Sequence, residues 1–289
     1  MGEARLVVDA RNKLGEGAVW DPVEQALWWV DIELGRLQRH DPARGESRVW
    51  QLPERIGCFA LRERGGLVCA LERGFAFFDP ESGAVDWIVK PDPDRRNRMN
   101  DGKCDRAGRL WAGGMDETQQ NRCASLWRLD PDRSVHRMAT GIGISNGISW
   151  SPDDRTMYFA DTQDRTIYSY DFDAASGAIA NRRVLTDHAE QPGGPDGSTV
   201  DAEGYIWNAQ WGGWRLVRWS PEGRVDRVVE LPVEKPTSCT FGGPDLATLY
   251  VTSAIWDLEG EALAAQPWAG GVLAIEPGVR GLPEPRFKG

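Results

Sequence analysis

Apolar and polar positions alternate along this chain in short runs, and one run recurs six times. An aliphatic or Met residue leads mostly aromatic or small residues in Leu27-Trp28-Trp29-Val30-Asp31, Leu67-Val68-Cys69-Ala70-Leu71 and Leu110-Trp111-Ala112-Gly113. The same pattern returns in Met157-Tyr158-Phe159-Ala160-Asp161, Ile206-Trp207-Asn208-Ala209-Gln210 and Leu249-Tyr250-Val251-Thr252-Ser253. The leading residues stand 40, 43, 47, 49 and 43 positions apart. A second run with period-two alternation follows each, as in Arg36–Asp41, Ser125–Asp130 and Thr166–Asp171, and most end in Asp-Pro or Ser-Pro turn signals. A third short strand precedes each, opening at Gly17, Gly57, Gly102, Gly147, Gly197 and Ser238. Six units of roughly 40–50 residues, all strand and turn, predict an all-β, six-bladed β-propeller with four-stranded antiparallel blades. A sandwich needs fewer and less regular repeats, and a β-helix needs shorter ones. Leu6-Val7-Val8 is expected to supply the outer strand of the last blade and close the ring. No linker interrupts the pattern, so residues 1–289 are expected to form a single domain.

The innermost strand of each blade lines the central channel. The residues just before the third-strand starts are Glu16, Ile56, Asp101, Asn146, Asp196 and Thr237, spaced 40, 45, 45, 50 and 41 apart. Equivalent positions in a ring converge on one axis, so Glu16, Asp101, Asn146 and Asp196 are expected to meet. Such a cluster of oxygen donors repels itself unless a cation sits among them. With no thiolate and no imidazole required, the donors suit Ca²⁺, Mg²⁺ or Mn²⁺, with Fe²⁺ or Zn²⁺ also compatible.

Composition narrows the partners. Lys and Arg number 34 against 44 Asp and Glu, a net charge of −10, which disfavours nucleic acid. No apolar stretch reaches the roughly 18 residues of a membrane span, and the first residues lack an apolar signal core. The five cysteines form no C-x-x-C pair. A reduced, cytoplasmic protein with no obligate protein partner is therefore expected. The three histidines, His40, His136 and His188, leave little for imidazole chemistry. A serine or cysteine hydrolase is disfavoured, on the reading that the chain has no G-x-S-x-G elbow and no histidine beside a candidate nucleophile in any motif.

The stretches LGEGAVWDP (14–22), NRMNDGKCDRAGRLWAGGM (97–115), ISNGISWSPD (144–153), PDGSTVDAEGYIWNAQW (195–211) and PTSCTFGGPDLATLYVT (236–252) resemble the regucalcin/gluconolactonase family, also called the senescence marker protein family. They run from the first blade to the sixth. The resemblance implies a six-bladed propeller with one divalent metal on its axis, held by Glu16, Asn146 and Asp196. It implies that Arg98 and Asn100 contact substrate, that Asp196 doubles as the base, and that Asp101 is a support or binds the metal through water. The acid after Met115 is the family's further substrate contact, which points to Glu117.

The activity so implied is hydrolysis of a sugar lactone to its aldonic acid. The metal (Ca, Mn, Mg, Zn or Fe(II)) would polarise the carbonyl and activate water, with Asp196 or Asp101 taking the proton. Two other functions compete. One is a metal-dependent esterase or phosphotriesterase, whose relatives usually add histidines this chain lacks. The other is a non-catalytic calcium-binding propeller, for which Arg98 at the axis has no use. Trp211 and Trp214 are candidates for stacking on a sugar face. His188, in the loop before Asp196, is expected to be solvated.

Overall fold

The computed structural model describes residues 3–289. Six four-stranded antiparallel sheets follow one another around a ring, as the repeat predicts. The first five blades occupy residues 15–51, 56–89, 97–142, 145–187 and 194–230. The sixth combines Pro236–Gly242, Thr248–Ser253 and Val272–Ile275 with the N-terminal strand Arg5–Val8 on its outside, so the chain's start closes the ring. Only the sixth blade departs from plain strand and turn among the described residues. There a five-residue helix, Gly260–Ala264, is inserted before its third strand. No helix is long and apolar enough to cross a membrane. All five cysteines are free.

The recurring run becomes the second strand of each blade and is buried on both faces, as in Ala26–Asp31 and Leu67–Leu71. Fourth strands such as Glu46–Gln51 face water. The core lies between neighbouring blades. Trp28, Val30 and Leu37 of the first blade pack with Phe59, Leu61 and Cys69 of the second. Tyr250 and Val272 of the sixth pack with Trp20, Leu27 and Trp29 of the first. Apolar alternation therefore stabilises the ring and not the isolated sheet.

Two blades share a further device. Asp105 and Asp201 sit in the turns ahead of the second strands of blades three and five. Each accepts from the indole of a fully buried tryptophan at 2.9 Å, Trp111 and Trp207 respectively. Buried arginines complete the pairs, Arg109 at 2.6 Å and Arg218 at 2.8 Å.

The innermost strands, Gly15–Asp21, Ile56–Leu61, Asn97–Cys104, Ser145–Trp150, Gly194–Val200 and Pro236–Gly242, start earlier than the glycines of the sequence pattern. The register slips in all six near the rim residue, between Glu16 and Val19, Ile56 and Cys58, Met99 and Gly102, Asn146 and Ser149, Pro195 and Ser198, and Pro236 and Cys239. A β-bulge re-aims side chains, so the rim residues belong to bulged strands and not to the loops before them. Gly17 and Gly147 adopt φ of 58° and 59°, a left-handed conformation costly for other residues.

The C-terminal segment crosses the opposite end of the channel. Gly281 pairs with Asp201, and Phe287 pairs in parallel with Arg62. Glu284 meets Lys103 at 2.9 Å, and Arg286 meets Asp21 at 2.5 Å. Phe287 is fully buried beside Phe75, Phe77 and Met99.

Candidate active site

At the bulged ends of the inner strands lies a cavity of about 440 Å³ whose lining includes Glu16, Arg98, Asn100, Glu117, Asn146 and Asp196. The alternation of strand side chains brings Arg98 and Asn100 to one face of Asn97–Cys104. Arg98 Nη1 donates to Asn100 Oδ1 at 2.7 Å and to Met99 O at 3.0 Å. Asn100 Nδ2 donates to Asn146 Oδ1 at 3.2 Å and to Ser145 O at 2.9 Å. Asn146 Nδ2 donates to Thr162 Oγ1 at 2.8 Å, and Thr162 donates to Pro195 O at 2.7 Å. Thr237 Oγ1 donates to Gly15 O. The carbonyls just before Glu16, Asn146 and Asp196 thus each accept a side-chain hydrogen bond from outside their own strand.

Two carboxyl groups, Glu16 and Asp196, meet at the bottom, and Asp101 acts on both through its charge. Burial is the main cause pushing the Glu16 carboxyl up to about 8, followed by the charge of Asp101. Burial, then Glu16 and Asp101, drives Asp196 far above the usual carboxylate range. The two side chains share a hydrogen bond. Burial also raises Asp101, against the pull of Lys103 and backbone amides that include Ile148 N at 3.5 Å. Burial pushes the Arg98 guanidinium down to about 10. Carboxyls with this much proton affinity lack the counter-charge that would keep them ionised, and a divalent ion supplies it. The donors Glu16, Asn146 Oδ1 and Asp196 are hard oxygens and fit such an ion. Among the described residues, no three His, Cys, Asp or Glu side chains form a metal-holding group by themselves, so the amide is needed as the third donor.

The model of the family described as SMP-30/Gluconolactonase/LRE-like region matches residues 14–255. The chain belongs to this family. A 6-deoxy-6-sulfogluconolactonase of Pseudomonas putida is 39% identical over 287 residues, covering 99% of this chain and 98% of that protein. An L-arabinolactonase of Azospirillum brasilense is 40% identical over 292 residues, covering 100% and 96%. The crystal structure of regucalcin from Agrobacterium tumefaciens, described as a calcium-binding protein, superposes with a TM-score of 0.94 at 31% identity, covering 99% and 97%.

The SMP-30/gluconolactonase pattern read from sequence maps onto the cavity with some differences. Glu16, Arg98, Asn100, Glu117, Asn146 and Asp196 all line it. Asp101 does not line it. It acts on the other carboxyls through its charge. Glu117 is held by Arg55, which also meets Glu72 at 2.8 Å and Glu33 at 3.6 Å. Arg95 and Arg96 are exposed, whereas Arg98 is buried. Arg98 also walls a neighbouring cavity of about 290 Å³. Trp211 lines the site, but Trp214 is 40% exposed and does not.

His188 corrects the sequence reading, since it is fully buried against Trp219 and not solvated. The expectation of no G-x-S-x-G is also corrected, since residues 143–147 spell that motif. Ser145 there is a fully buried strand residue whose hydroxyl has no partner among the described residues, and not a strand-to-helix nucleophile elbow.

Arg55, Glu33, Lys235, Trp256 and Asp257 also line the cavity and were missed. Arg55 and Lys235 stand one and two residues before Ile56 and Thr237, the two rim positions with neither carboxylate nor amide. That proximity was the available signal.

Proposed function

We propose that this protein hydrolyses a sugar lactone to the aldonic acid, using one divalent cation held by Glu16, Asn146 and Asp196. The relatives named as lactonases support the substrate class. The single observation that carries the metal is the convergence of buried, proton-hungry carboxyls at the floor of a cavity large enough for a sugar. When bound, the cation supplies Lewis acidity at the lactone carbonyl and acidifies water.

The chain's own groups do the rest. Asn100 and Arg98 orient the substrate, and Arg98 is the cavity cation not committed to a carboxylate among the described residues. Glu117, fixed by Arg55, offers acceptors to sugar hydroxyls at the mouth. Asp196 accepts a proton from the attacking water as the water oxygen bonds to the carbonyl carbon. The carbon–oxygen ring bond then breaks, the proton held by Asp196 passes to the ring oxygen, and the acid is freed. The charge of Asp101 acts on both Glu16 and Asp196. Positioning of this kind supplies several kcal/mol of barrier lowering.

The test is a panel of aldonolactones followed by proton release across divalent metals, with Asp196→Ala and Asn146→Ala alongside. Wild type is expected to be active only with metal, and both variants inactive though folded. Full activity in either variant, or after chelation, refutes the metal assignment. Phosphotriester turnover in place of lactone turnover favours the esterase function, and metal binding without any hydrolysis favours the calcium-binding one.

A further inference from the structure

The strand that carries Asp196 has its bulge between Pro195 and Ser198. Pro195 faces Gln210 and Ser198 faces Asn208, so Asp196 and Gly197 fall outside the regular ladder. A bulge leaves backbone groups to be satisfied by other means. Asn208 Nδ2 does this, donating to Asp196 O at 2.7 Å and to Ser198 Oγ at 2.9 Å. Because a carbonyl only accepts, the Asn208 amide has one possible orientation, with Oδ1 turned to Gln210. Gln210 Nε2 donates to that oxygen. Gln210 Oε1 is then left to accept from His188 Nδ1 at 3.0 Å, which fixes the histidine tautomer.

The result is a one-way chain of donors, His188 to Gln210 to Asn208 to Asp196, all four residues at most 5% exposed. Asn208 and Gln210 share a strand face through period-two alternation. None of His188, Gln210 and Asn208 lines the cavity, so none touches substrate.

We propose that Asn208, Gln210 and His188 are positioning residues that hold the Asp196 bulge in its working geometry. Bonds in such a chain polarise one another, so its far end matters to its near end. The proposal rests on the reading of Asp196 as metal ligand and base.

Four variants test it: Asn208→Leu and Gln210→Met, which keep volume and remove the amides, His188→Asn, which keeps a donor near Nδ1, and His188→Leu, which does not. The readouts are kcat and KM on an aldonolactone, the affinity for Mn²⁺ alone by calorimetry, and Tm in chelator. Loss of an outer-sphere partner typically costs roughly 10–100-fold in metal affinity or activity. Asn208→Leu, Gln210→Met and His188→Leu are therefore expected to lose kcat and Mn²⁺ affinity by such factors with KM nearly unchanged, while His188→Asn stays close to wild type. Retention of both kcat and Mn²⁺ affinity in folded Asn208→Leu and Gln210→Met overturns the proposal. So does equal impairment of the two His188 variants, which would assign the histidine to packing against Trp219. Should Asn208→Leu not fold, the His188 pair still decides. If the wild type opens no lactone, the function proposed above fails, while the Mn²⁺ measurements still report on the chain.

Discussion

Replacing Glu16 by Gln should stabilise the metal-free protein while abolishing metal binding. The unfolded chain ionises Glu16 with its ordinary pKa of 4.5, and the folded protein holds it at about 8. Between those values the native state binds more protons than the unfolded one, so this group lowers stability as pH rises from 4.5 to 8. At pH 7 the difference spans about 2.5 pH units, or roughly 3 kcal/mol at 1.36 kcal/mol per unit. Glutamine carries no charge and its Oε1 can still accept from protonated Asp196, so the penalty disappears. For a chain of this size roughly 3 kcal/mol corresponds to a rise of about 6 °C in Tm. The assay is thermal unfolding by circular dichroism in excess chelator at pH 5 and pH 7, repeated with saturating Mn²⁺. The variant should melt about 6 °C higher at pH 7 and nearly level with wild type at pH 5. With Mn²⁺ the wild type should gain stability by mass action and the variant should not. A variant that melts no higher than wild type at pH 7, or a difference that ignores pH, refutes the electrostatic account.

Two further outcomes follow from the geometry. Arg98→Ala removes a charged hydrogen bond to Asn100 and the wall between two cavities. It should lower kcat/KM roughly 10–100-fold, as expected for about 1.5–3 kcal/mol, and unchanged steady-state kinetics would contradict that role. Phe287→Ala empties a fully buried site under the C-terminal segment. It should cost about 3–5 kcal/mol in denaturant unfolding at constant m, and an unshifted midpoint would show that the segment does not clamp the ring.

The architecture was legible because a blade cannot bury its middle strand alone. That requirement forces the pattern beginning at Leu27 to repeat at Leu67, Leu110, Met157, Ile206 and Leu249. The rim was legible for the same reason, since Glu16, Asn146 and Asp196 share a register and a ring turns register into proximity. What escaped has no period. Of the partners that hold the rim residues, Thr162 sits in a turn and Asn208 on a second strand, and neither shares the rim spacing. The burial of His188 depends on the tryptophan of a neighbouring strand. Arg55 and Lys235 belong to the connections between blades, where the repeat is weakest. The segment carrying Phe287 follows the last repeat, so its docking onto the first, second, third and fifth blades leaves no signature in the pattern.

That docking makes the pocket a blind well. Glu284 and its neighbours stop the far end, so a newly opened acid must back out through the entrance its parent ring used. Glu33, Glu117 and Asp257 border that same passage. Arg55 and Lys235 border it too, so a fresh carboxylate leaves past fixed charges of both signs that an uncharged lactone does not feel. One doorway thereby presents a different field to what enters and to what leaves.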